Sequence, residues 1–145
     1  MDEVRIESRE DVSTYLARLK YALESGAHIS FQRIRRVDDN RDIRFTNDYT
    51  MNELFPDEDP QKVLRRELMS LTVGDYLRTV KDRRFPNKSD MREFGKVYNS
   101  SDEVYIKIRV ELFDKSGFGQ HTTFVMSFHF AETPFSEEYF PYRSK

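Results

Sequence analysis

In the C-terminal third of the chain, apolar and polar side chains alternate with a period of two residues. In residues 104–110 every even position is aliphatic. The odd positions of this stretch carry one phenol and two cations: Tyr105, Lys107 and Arg109. In residues 124–129 the even positions are again bulky and apolar, and the odd set ends in Ser127 and His129. Because side chains alternate between the two faces of a strand, both stretches predict β-strands with the even positions buried.

The spacing of the two strands predicts which side chains lie opposite each other. A turn over residues 113–120, with Gly117 and Gly119 at its tip, would set Tyr105 opposite His129 and Lys107 opposite Ser127. We therefore expect a phenol and an imidazole side by side on the outward face of a sheet. A slip of the pairing by one residue would separate them.

The remaining pattern predicts helices and short strands in a single α+β domain, residues 1–145. The helices are predicted at residues 9–25, 47–55, 60–69 and 73–80. The other strands are predicted at residues 29–31 and 43–45, joined as a hairpin through residues 37–41, and at residues 91–98. The last two strands extend over residues 104–112 and 122–130. The aromatic, proline-containing residues 133–142 are expected to lie over the sheet.

The composition of the chain argues against several classes of protein and of binding site. The 145 residues include no Cys, which excludes disulfides and thiolate metal sites and favours a reducing compartment. The N-terminus has no apolar signal core, and no segment approaches the about 20 apolar residues of a membrane span, so we predict a soluble cytoplasmic protein without membrane contact. The three histidines are far apart in sequence and no glycine-rich phosphate loop is present, so neither a metal nor another cofactor is expected.

The net charge of −2 argues against nonspecific coating of nucleic acid, but positive charge is concentrated locally. Between positions 78 and 96 there are seven cations and three carboxylates, an excess of four (7 − 3). The candidate RNA-binding cations are Lys81, Arg83, Arg84, Lys88, Arg92 and Lys96. Arg78 and Lys81 are expected at the end of the predicted helix 73–80. Phe85 or Tyr98 is a candidate for stacking on a base. A solvated surface loop would have a similar composition.

The residues on the odd faces suit RNA cleavage without a metal. That reaction needs a base for the 2′-hydroxyl proton, cations for the phosphorane, and an acid for the leaving 5′-oxygen. Tyr105 and His129 are the candidates for the two proton transfers, with base and acid not assigned between them. Arg78, Lys107 and Arg109 are the candidates for holding the phosphate. A histidine satisfied by a backbone carbonyl and solvated strand cations would give the same sequence pattern.

Several strings along the chain, in this order, resemble the MqsR family of type II toxins. They are Leu71-Thr72-Val73-Gly74-Asp75-Tyr76, Phe94-Gly95-Lys96, Val104-Tyr105-Ile106-Lys107, Ser127-Phe128-His129-Phe130-Ala131-Glu132 and Tyr139-Phe140-Pro141-Tyr142. The resemblance extends from the first predicted helix to the C-terminus. It implies a RelE-like antiparallel sheet flanked by helices, an mRNA interferase activity, and a cognate antitoxin as partner.

Carried over by position, the family's strand tyrosine corresponds to Tyr105 and a basic residue corresponds to Arg78. The best-known members have Lys where this chain has Arg78 and His129, and Gln where it has Gly95. The imidazole is a better proton donor than Lys near neutral pH, whereas Gly95 has no side chain to donate a hydrogen bond.

The resulting hypothesis is a metal-independent endoribonuclease toxin that cleaves single-stranded mRNA. The main alternative is a non-catalytic module of the same fold that binds a protein or nucleic acid. A third possibility is a regulatory protein whose aromatic residues 133–142 form a homodimer contact.

Overall fold

A computed structural model describes residues 3–34, 42–113 and 120–143, with the backbone alone at 112, 113, 120 and 121. The strands are β1 (Glu3–Arg5), β2 (His28–Phe31), β3 (Tyr76–Lys81), β4 (Met91–Tyr98), β5 (Asp102–Phe113) and β6 (Gln120–Phe130). The helices are α1 (Arg9–Glu24), α2 (Asn47–Leu54) and α3 (Pro60–Met69). Short 3₁₀ turns cover Ile43–Phe45, Val73–Asp75 and Glu137–Tyr139.

The six strands of the described chain form one sheet in the order β1-β3-β4-β5-β6-β2. The pairs from β1 through β6 are antiparallel, and β2 pairs parallel to β6 at the edge. The sheet is therefore mixed. After β1 the chain passes through α1 to the opposite edge of the sheet, where β2 runs in the same direction as β6. The α+β class predicted from the sequence is confirmed.

One face of the sheet, here called the helix-covered face, packs against α1 and α3. The central strands contribute Phe94, Ile106, Ile108 and Phe128, all without solvent exposure. The helices contribute apolar stripes at helical spacing, listed by position as Val12, Leu16, Leu19, Leu23, Val63, Leu64 and Leu68. The opposite side, here called the open face, carries the odd-numbered side chains of β4 and β5.

Helices α1 and α3 agree with their sequence signals. Ser8 precedes α1 and accepts a hydrogen bond from the Asp11 amide at 3.1 Å, and Asp59 does the same for the Gln61 amide of α3 at 3.2 Å. Pro60 occupies the first turn of α3, where a missing amide proton costs nothing. The predicted boundaries of α3 and β4 are confirmed, and those of α1 and α2 agree to within one residue.

The helix predicted at residues 73–80 is wrong. A single 3₁₀ turn at Val73–Asp75 leads into strand β3, which pairs with both β1 and β4. The β-branched Thr79 and Val80 are buried between these neighbours, where a pleated strand accommodates them better than a helix does. Arg78 and Lys81 are consequently strand residues and not a pair at a helix end.

The hairpin predicted for residues 29–45 is also wrong. Ile29 lies in β2, whose partner is β6, while Ile43–Phe45 forms a 3₁₀ turn capped by Asp42. The turn predicted at residues 37–41 lies outside the described residues, as do residues 114–119 of the turn predicted between β5 and β6. Strand β1, which the sequence pattern did not predict, completes the other edge through Val4, opposite Val80.

Candidate active site

Tyr105 and His129 lie directly opposite each other on β5 and β6, as predicted. Their ring centroids are 5.4 Å apart and the ring planes are inclined at 42°. Their neighbours Ile106 and Phe128 are fully buried on the helix-covered face, so both rings belong to the open face. The phenol and the imidazole are thus neighbours on one surface of the sheet.

A row of polar side chains runs across the open face, two residues along the strands from Tyr105 and His129. The register sets Arg78 opposite Glu93, Glu93 opposite Lys107, and Lys107 opposite Ser127, on four successive strands. Arg78 Nε donates to Glu93 Oε1 at 2.8 Å. The Arg78 side chain is 50% exposed, whereas the Glu93 side chain is only 5% exposed. The buried carboxylate of Glu93 therefore positions a cation that is half exposed on the open face.

The environment of Arg78 favours its charged form. Its pKa is raised above the ordinary value mainly by the hydrogen bond to Glu93, and in addition by the charges of Glu93 and of Tyr105 when ionised. Arg78 is therefore a cation on the same face of the sheet as the Tyr105 phenol.

His129 faces the open side but is only 6% exposed. Its Nδ1 lies 2.9 Å from the Phe130 carbonyl oxygen. A carbonyl can only accept, so Nδ1 carries the proton in the neutral ring and Nε2 carries the lone pair. The carbonyl contact considered as an alternative from the sequence is therefore present, and it fixes the tautomer of the ring.

Helix α2 holds the end of β6 that carries His129. Beyond Phe31, strand β2 no longer pairs with β6, and the side chains of Asn47 and Thr50 take its place. The Phe128 amide donates to Asn47 Oδ1 at 2.9 Å, and the Phe130 amide donates to Thr50 Oγ1 at 2.8 Å. Both helix residues are buried, so this edge is closed by side-chain hydrogen bonds instead of by another strand.

A β-bulge in β6 changes which side chains reach the open face. Lys107 pairs with Ser127 but Ile108 pairs with Val125, which leaves Met126 as the extra residue. The prediction that all even positions of β6 are buried is therefore wrong. Val125 takes the core position, whereas Phe124 and Met126 are only partly buried and join Ser127 on the other side.

A second irregularity, in β3, directs Arg78 to the open face. Tyr76 pairs with Phe94 in the core, and the register then shifts so that Arg78 pairs with Glu93. In a regular strand, residues two apart share a face. Without the shift at Leu77, Arg78 would follow Tyr76 to the helix-covered face and could not approach Tyr105.

The segment 133–142 crosses the open face next to Tyr105, in agreement with the prediction that it lies over the sheet. The Phe135 and Phe140 rings meet edge to face over Gly95, with centroids 5.5 Å apart. A Cβ at position 95 would lie 2.8 Å from Phe135 Cε2 and 2.9 Å from Phe140 Cζ. The absence of a side chain at Gly95 is therefore a packing requirement of this segment.

Arg109 lies on the same face as Lys107 but in a different environment. Its side chain is 12% exposed, its guanidinium lies 4.8 Å from the Phe124 ring centroid, and its Nε is 3.0 Å from Glu111 Oε1. This Nε atom is buried and forms no hydrogen bond, so the contact with Glu111 is an ion pair by distance only. Arg109 borders a cleft of about 200 Å³.

The loop between β3 and β4 carries three of the six predicted RNA-binding cations at the Arg109 end of the sheet, and a fourth, Lys81, is the last residue of β3. Arg83 and Arg84 have exposed side chains, and Arg84 and Lys88 both lie over the half-exposed Phe85 ring. Lys81 Nζ lies 3.9 Å from Asp90 Oδ1, a long ion-pair distance. Lys81 thus belongs to the same basic surface as the loop cations. An aromatic ring between cations is typical of single-strand binding surfaces.

Arg92 and Lys96 do not belong to that surface. Arg92 forms a two-armed ion pair with Glu7 and lies 4.2 Å from the Tyr15 ring centroid, on the helix-covered face. Lys96 Nζ contacts Ser70 after the end of α3. Even-numbered positions of β4 face the helices, which explains both corrections.

Tyr98 is likewise unsuited to stack on a base. Its hydroxyl donates to Glu67 at 2.8 Å, and its ring packs edge-on against Phe55. Burial and the Glu67 carboxylate raise its pKa far above the ordinary value. It belongs to the core beneath α3.

Sequence reasoning missed Glu93 as a site residue and treated it only as a charge opposing the local cations. Its odd position in β4, in phase with Gly95, was the available signal. Among the residues that the structure describes, no cluster of three or more His, Asp or Glu side chains could hold a metal ion. None of the described helices is both long enough and apolar enough to cross a bilayer.

Comparison with known proteins adds no relatives: no family model, no curated protein and no solved structure matches the chain.

Proposed function

We propose that this protein is a metal-independent endoribonuclease, the toxin of a cytoplasmic type II toxin–antitoxin system. The observation that carries the proposal is the pairing of Tyr105 with His129, with Arg78 and Lys107 one pleat away on the same face. A proton-transferring pair beside two cations is what cleavage of an RNA phosphodiester requires.

In the proposed reaction the 2′-oxygen attacks the adjacent phosphorus while one member of the Tyr105–His129 pair removes its proton. The bond from phosphorus to the 5′-oxygen breaks, and the other member protonates the leaving oxygen. The products are a 2′,3′-cyclic phosphate and a 5′-hydroxyl, so atoms and charge balance. Arg78 and Lys107 stabilise the negative charge of the phosphorane.

The tautomer of His129 fits this role. With Nδ1 directed to the Phe130 carbonyl, the neutral ring presents its lone pair at Nε2 and the protonated ring presents a donor there. The same nitrogen can therefore take up or release a proton without a change in ring orientation.

The test is incubation of the purified protein with a long single-stranded RNA in the presence and absence of EDTA. We expect cleavage in both cases, with products ending in a 2′,3′-cyclic phosphate. Tyr105→Phe and His129→Ala should each lower the cleavage rate by about 10²–10⁴-fold, because each removes one proton-transfer group. The matched controls are Tyr21→Phe and His28→Ala, which change exposed residues away from the site.

The second candidate function is a non-catalytic module that binds a protein or nucleic acid. The observation that favours it is the low exposure of His129, together with the two rings packed over Gly95. Absence of cleavage by the folded wild-type protein, with binding of a partner retained, would establish this alternative.

The proposed partner of the toxin is an antitoxin, the expectation that accompanies the resemblance to the MqsR family. The exposed acidic residues 57–59 and the segment 133–142 are its candidate docking regions. Expression of the chain alone should arrest bacterial growth, and co-expression of a small neighbouring reading frame should restore it. Restoration should be accompanied by co-purification of the two proteins and by loss of RNA cleavage in vitro.

A further inference from the structure

Phe85 is an exposed aromatic residue in the loop between β3 and β4. It is 50% exposed, and the Arg84 guanidinium and the Lys88 ammonium each lie 5.6 Å from its ring centroid. Both distances are close to the limit of about 6 Å for a cation–π contact, so the cations flank the ring without covering it. Tyr21 and Tyr139 are also exposed, but neither has such a cation among the described residues.

Hydrogen bonds within the loop fix the position of the Phe85 ring. The Phe85 amide donates to the Asp82 carbonyl at 3.1 Å, and the Lys88 amide donates to the Phe85 carbonyl at 3.0 Å. Pro86 fixes its own φ and restricts the backbone of the residue before it. The ring is therefore presented to solvent on a backbone that is already ordered, which reduces the entropy that a ligand would have to overcome.

The charges next to Phe85 favour an anionic ligand. The Lys88 side chain is exposed, and no carboxylate among the described residues pairs with it. Arg83 lies 3.8 Å from Glu3, and because both of these side chains are more than half exposed, the pair contributes little. Arg84 differs because Asp82 compensates its charge at 2.9 Å. Arg83 and Lys88 are thus the two cations near the ring that can still bind phosphates.

The end of this loop is attached to the open face at a distance from Tyr105. Ser89 Oγ donates to the Val110 carbonyl at 2.9 Å, and the Ser89 amide donates to Glu111 Oε1 at 3.2 Å. Glu111 has an odd position in β5, as Tyr105 does, so both side chains lie on the open face. At about 3.4 Å per residue, Val110 is about 17 Å from Tyr105 along the strand. The loop is therefore too far away to contact the nucleotide that reacts at Tyr105.

We propose that residues 83–88 form a second contact for the single-stranded RNA substrate, several nucleotides away from the scissile phosphate and independent of base identity. The inference rests on the proposed ribonuclease function. Phe85 stacks on one base, since every base has an aromatic face, and Arg83 and Lys88 bind the neighbouring phosphates. An acidic peptide would match the cations but would not supply an unpaired base for the ring.

The distance between the two contacts predicts a dependence on RNA length. At the rise of about 3.4 Å per nucleotide of a stacked strand, about 17 Å corresponds to about five nucleotides. An RNA that reaches both Tyr105 and Phe85 is held at two linked points and should bind more tightly than one that reaches Tyr105 alone.

The first test measures binding without cleavage. The Tyr105→Phe/His129→Ala protein is titrated with a fluorescein-labelled single-stranded RNA of about 12 nucleotides, and fluorescence anisotropy is followed. Adding Phe85→Ala should raise the Kd at least about fivefold, because the stacking of one base is lost, whereas Phe85→Trp should retain the affinity. The matched control is Tyr21→Ala, which removes another exposed aromatic ring and should leave the Kd unchanged.

The salt dependence of the same binding tests the phosphate contacts. Lys88→Gln should reduce the slope of log affinity against log salt concentration by about 0.7, the value for one phosphate of a single strand. The matched control Lys62→Gln, at an exposed position of α3, should leave the slope unchanged. An RNA duplex and polyglutamate serve as competitors. If either competes as well as single-stranded RNA does, the proposal is overturned, because neither presents an unpaired base.

The second test measures cleavage as a function of RNA length. After a cut has been mapped in a long RNA, substrates with that site and with flanks of about 3 or about 10 nucleotides are compared. Wild-type kcat/KM should be at least about fivefold higher when one of the flanks is long. Phe85→Ala should bring this ratio close to one, whereas Tyr21→Ala should retain it.

The two tests distinguish failure of this inference from failure of the proposed function. RNA cleavage without an effect of flank length, together with equal RNA affinities of Phe85→Ala and its parent, would overturn the second contact and leave the ribonuclease function in place. RNA binding that depends on Phe85 and Lys88, without cleavage by the wild-type protein, would refute the ribonuclease function and retain the contact.

Discussion

Two arginine–glutamate pairs lie on opposite faces of the same sheet. On the helix-covered face, Arg92 binds Glu7 through two hydrogen bonds of 2.9 and 3.0 Å, and the two side chains are 17% and 10% exposed. On the open face, Arg78 binds Glu93 through one bond of 2.8 Å, and its own side chain is 50% exposed.

The difference lies in what else surrounds each pair. Thr79 also donates to Glu7, and the Arg92 guanidinium lies over Tyr15 of α1, so every strong group of that pair is used inside the protein. The Arg78–Glu93 pair buries the carboxylate and leaves half of the cation exposed. We conclude that the first pair ties the N-terminal segment to the sheet. The second pair holds a half-exposed cation on the open face, as the proposed function requires.

The largest expected effect on stability comes from breaking the pair on the helix-covered face. Glu7→Gln leaves Arg92 charged and enclosed, and should lower the free energy of unfolding by about 3 kcal/mol. Chemical denaturation measures this directly. The control Glu10→Gln, at an exposed position of α1, should change the same quantity by less than about 0.5 kcal/mol. Equal stabilities of the two variants would show that the Arg92 pair does not anchor the segment.

Breaking the open-face pair should act mainly on activity. Arg78→Ala should reduce RNA cleavage by about 10²–10³-fold, since in the proposed reaction it removes a cation that stabilises the phosphorane. Its cost in unfolding free energy should be smaller than that of Glu7→Gln, because Lys107 lies at the paired position on the other side of Glu93. If Arg78→Ala cleaved RNA at the wild-type rate but was strongly destabilised, the Arg78–Glu93 pair would have a structural role and not the proposed functional one.

A methyl group at Gly95 tests how tightly the segment 133–142 is packed on the open face. Gly95→Ala places a Cβ within 2.8 Å of Phe135 and should cost about 1–3 kcal/mol of unfolding free energy through overpacking. The control is Gly74→Ala, where the nearest atom would be at 3.6 Å. Similar melting curves for the two variants would mean that the rings over Gly95 move aside freely.

The smallest effect is the pH dependence of the Glu7 contribution. Burial alone would raise the pKa of Glu7, but hydrogen bonds from Arg92 and Thr79 and the charges of Arg92 and Arg5 hold it below its ordinary value of 4.5. The carboxylate therefore stabilises the fold fully above that ordinary value, and this stabilisation is lost as the pH falls through the lower pKa of the folded state. The stability difference between wild type and Glu7→Gln should shrink between pH 5 and pH 3, a range of about two units around the ordinary carboxyl pKa. A difference independent of pH would exclude the carboxylate charge as its source.

Local sequence predicted the structure correctly where a single sequence signal dominates. The apolar stripes and caps of α1 and α3 predicted those helices, because helical periodicity and capping act within a few residues. Strict alternation in β5 and the length of the connection to β6 predicted that Tyr105 and His129 are neighbours. That prediction required only the position of the turn between β5 and β6 and the register of that strand pair.

The parts that sequence did not predict depend on contacts between distant segments. β2 pairs parallel to β6, and residues 76–81 adopt a strand because β1 and β4 lie on either side. The bulges at Leu77 and Met126 leave no distinct signal in composition, since one extra residue is tolerated only where the neighbouring strand twists to accommodate it.

The sequence by itself determined the α+β class, the main helices and the adjacency of the phenol and the imidazole, because periodicity and chain connectivity are local properties. The tertiary structure alone decided that Arg78 and Phe124 face the same side as His129, that Arg92 faces the helices, and that Gly95 lies beneath two aromatic rings. Each of these depends on a one-residue change of register or on packing across the sheet, and a side chain changes face when the register shifts by one.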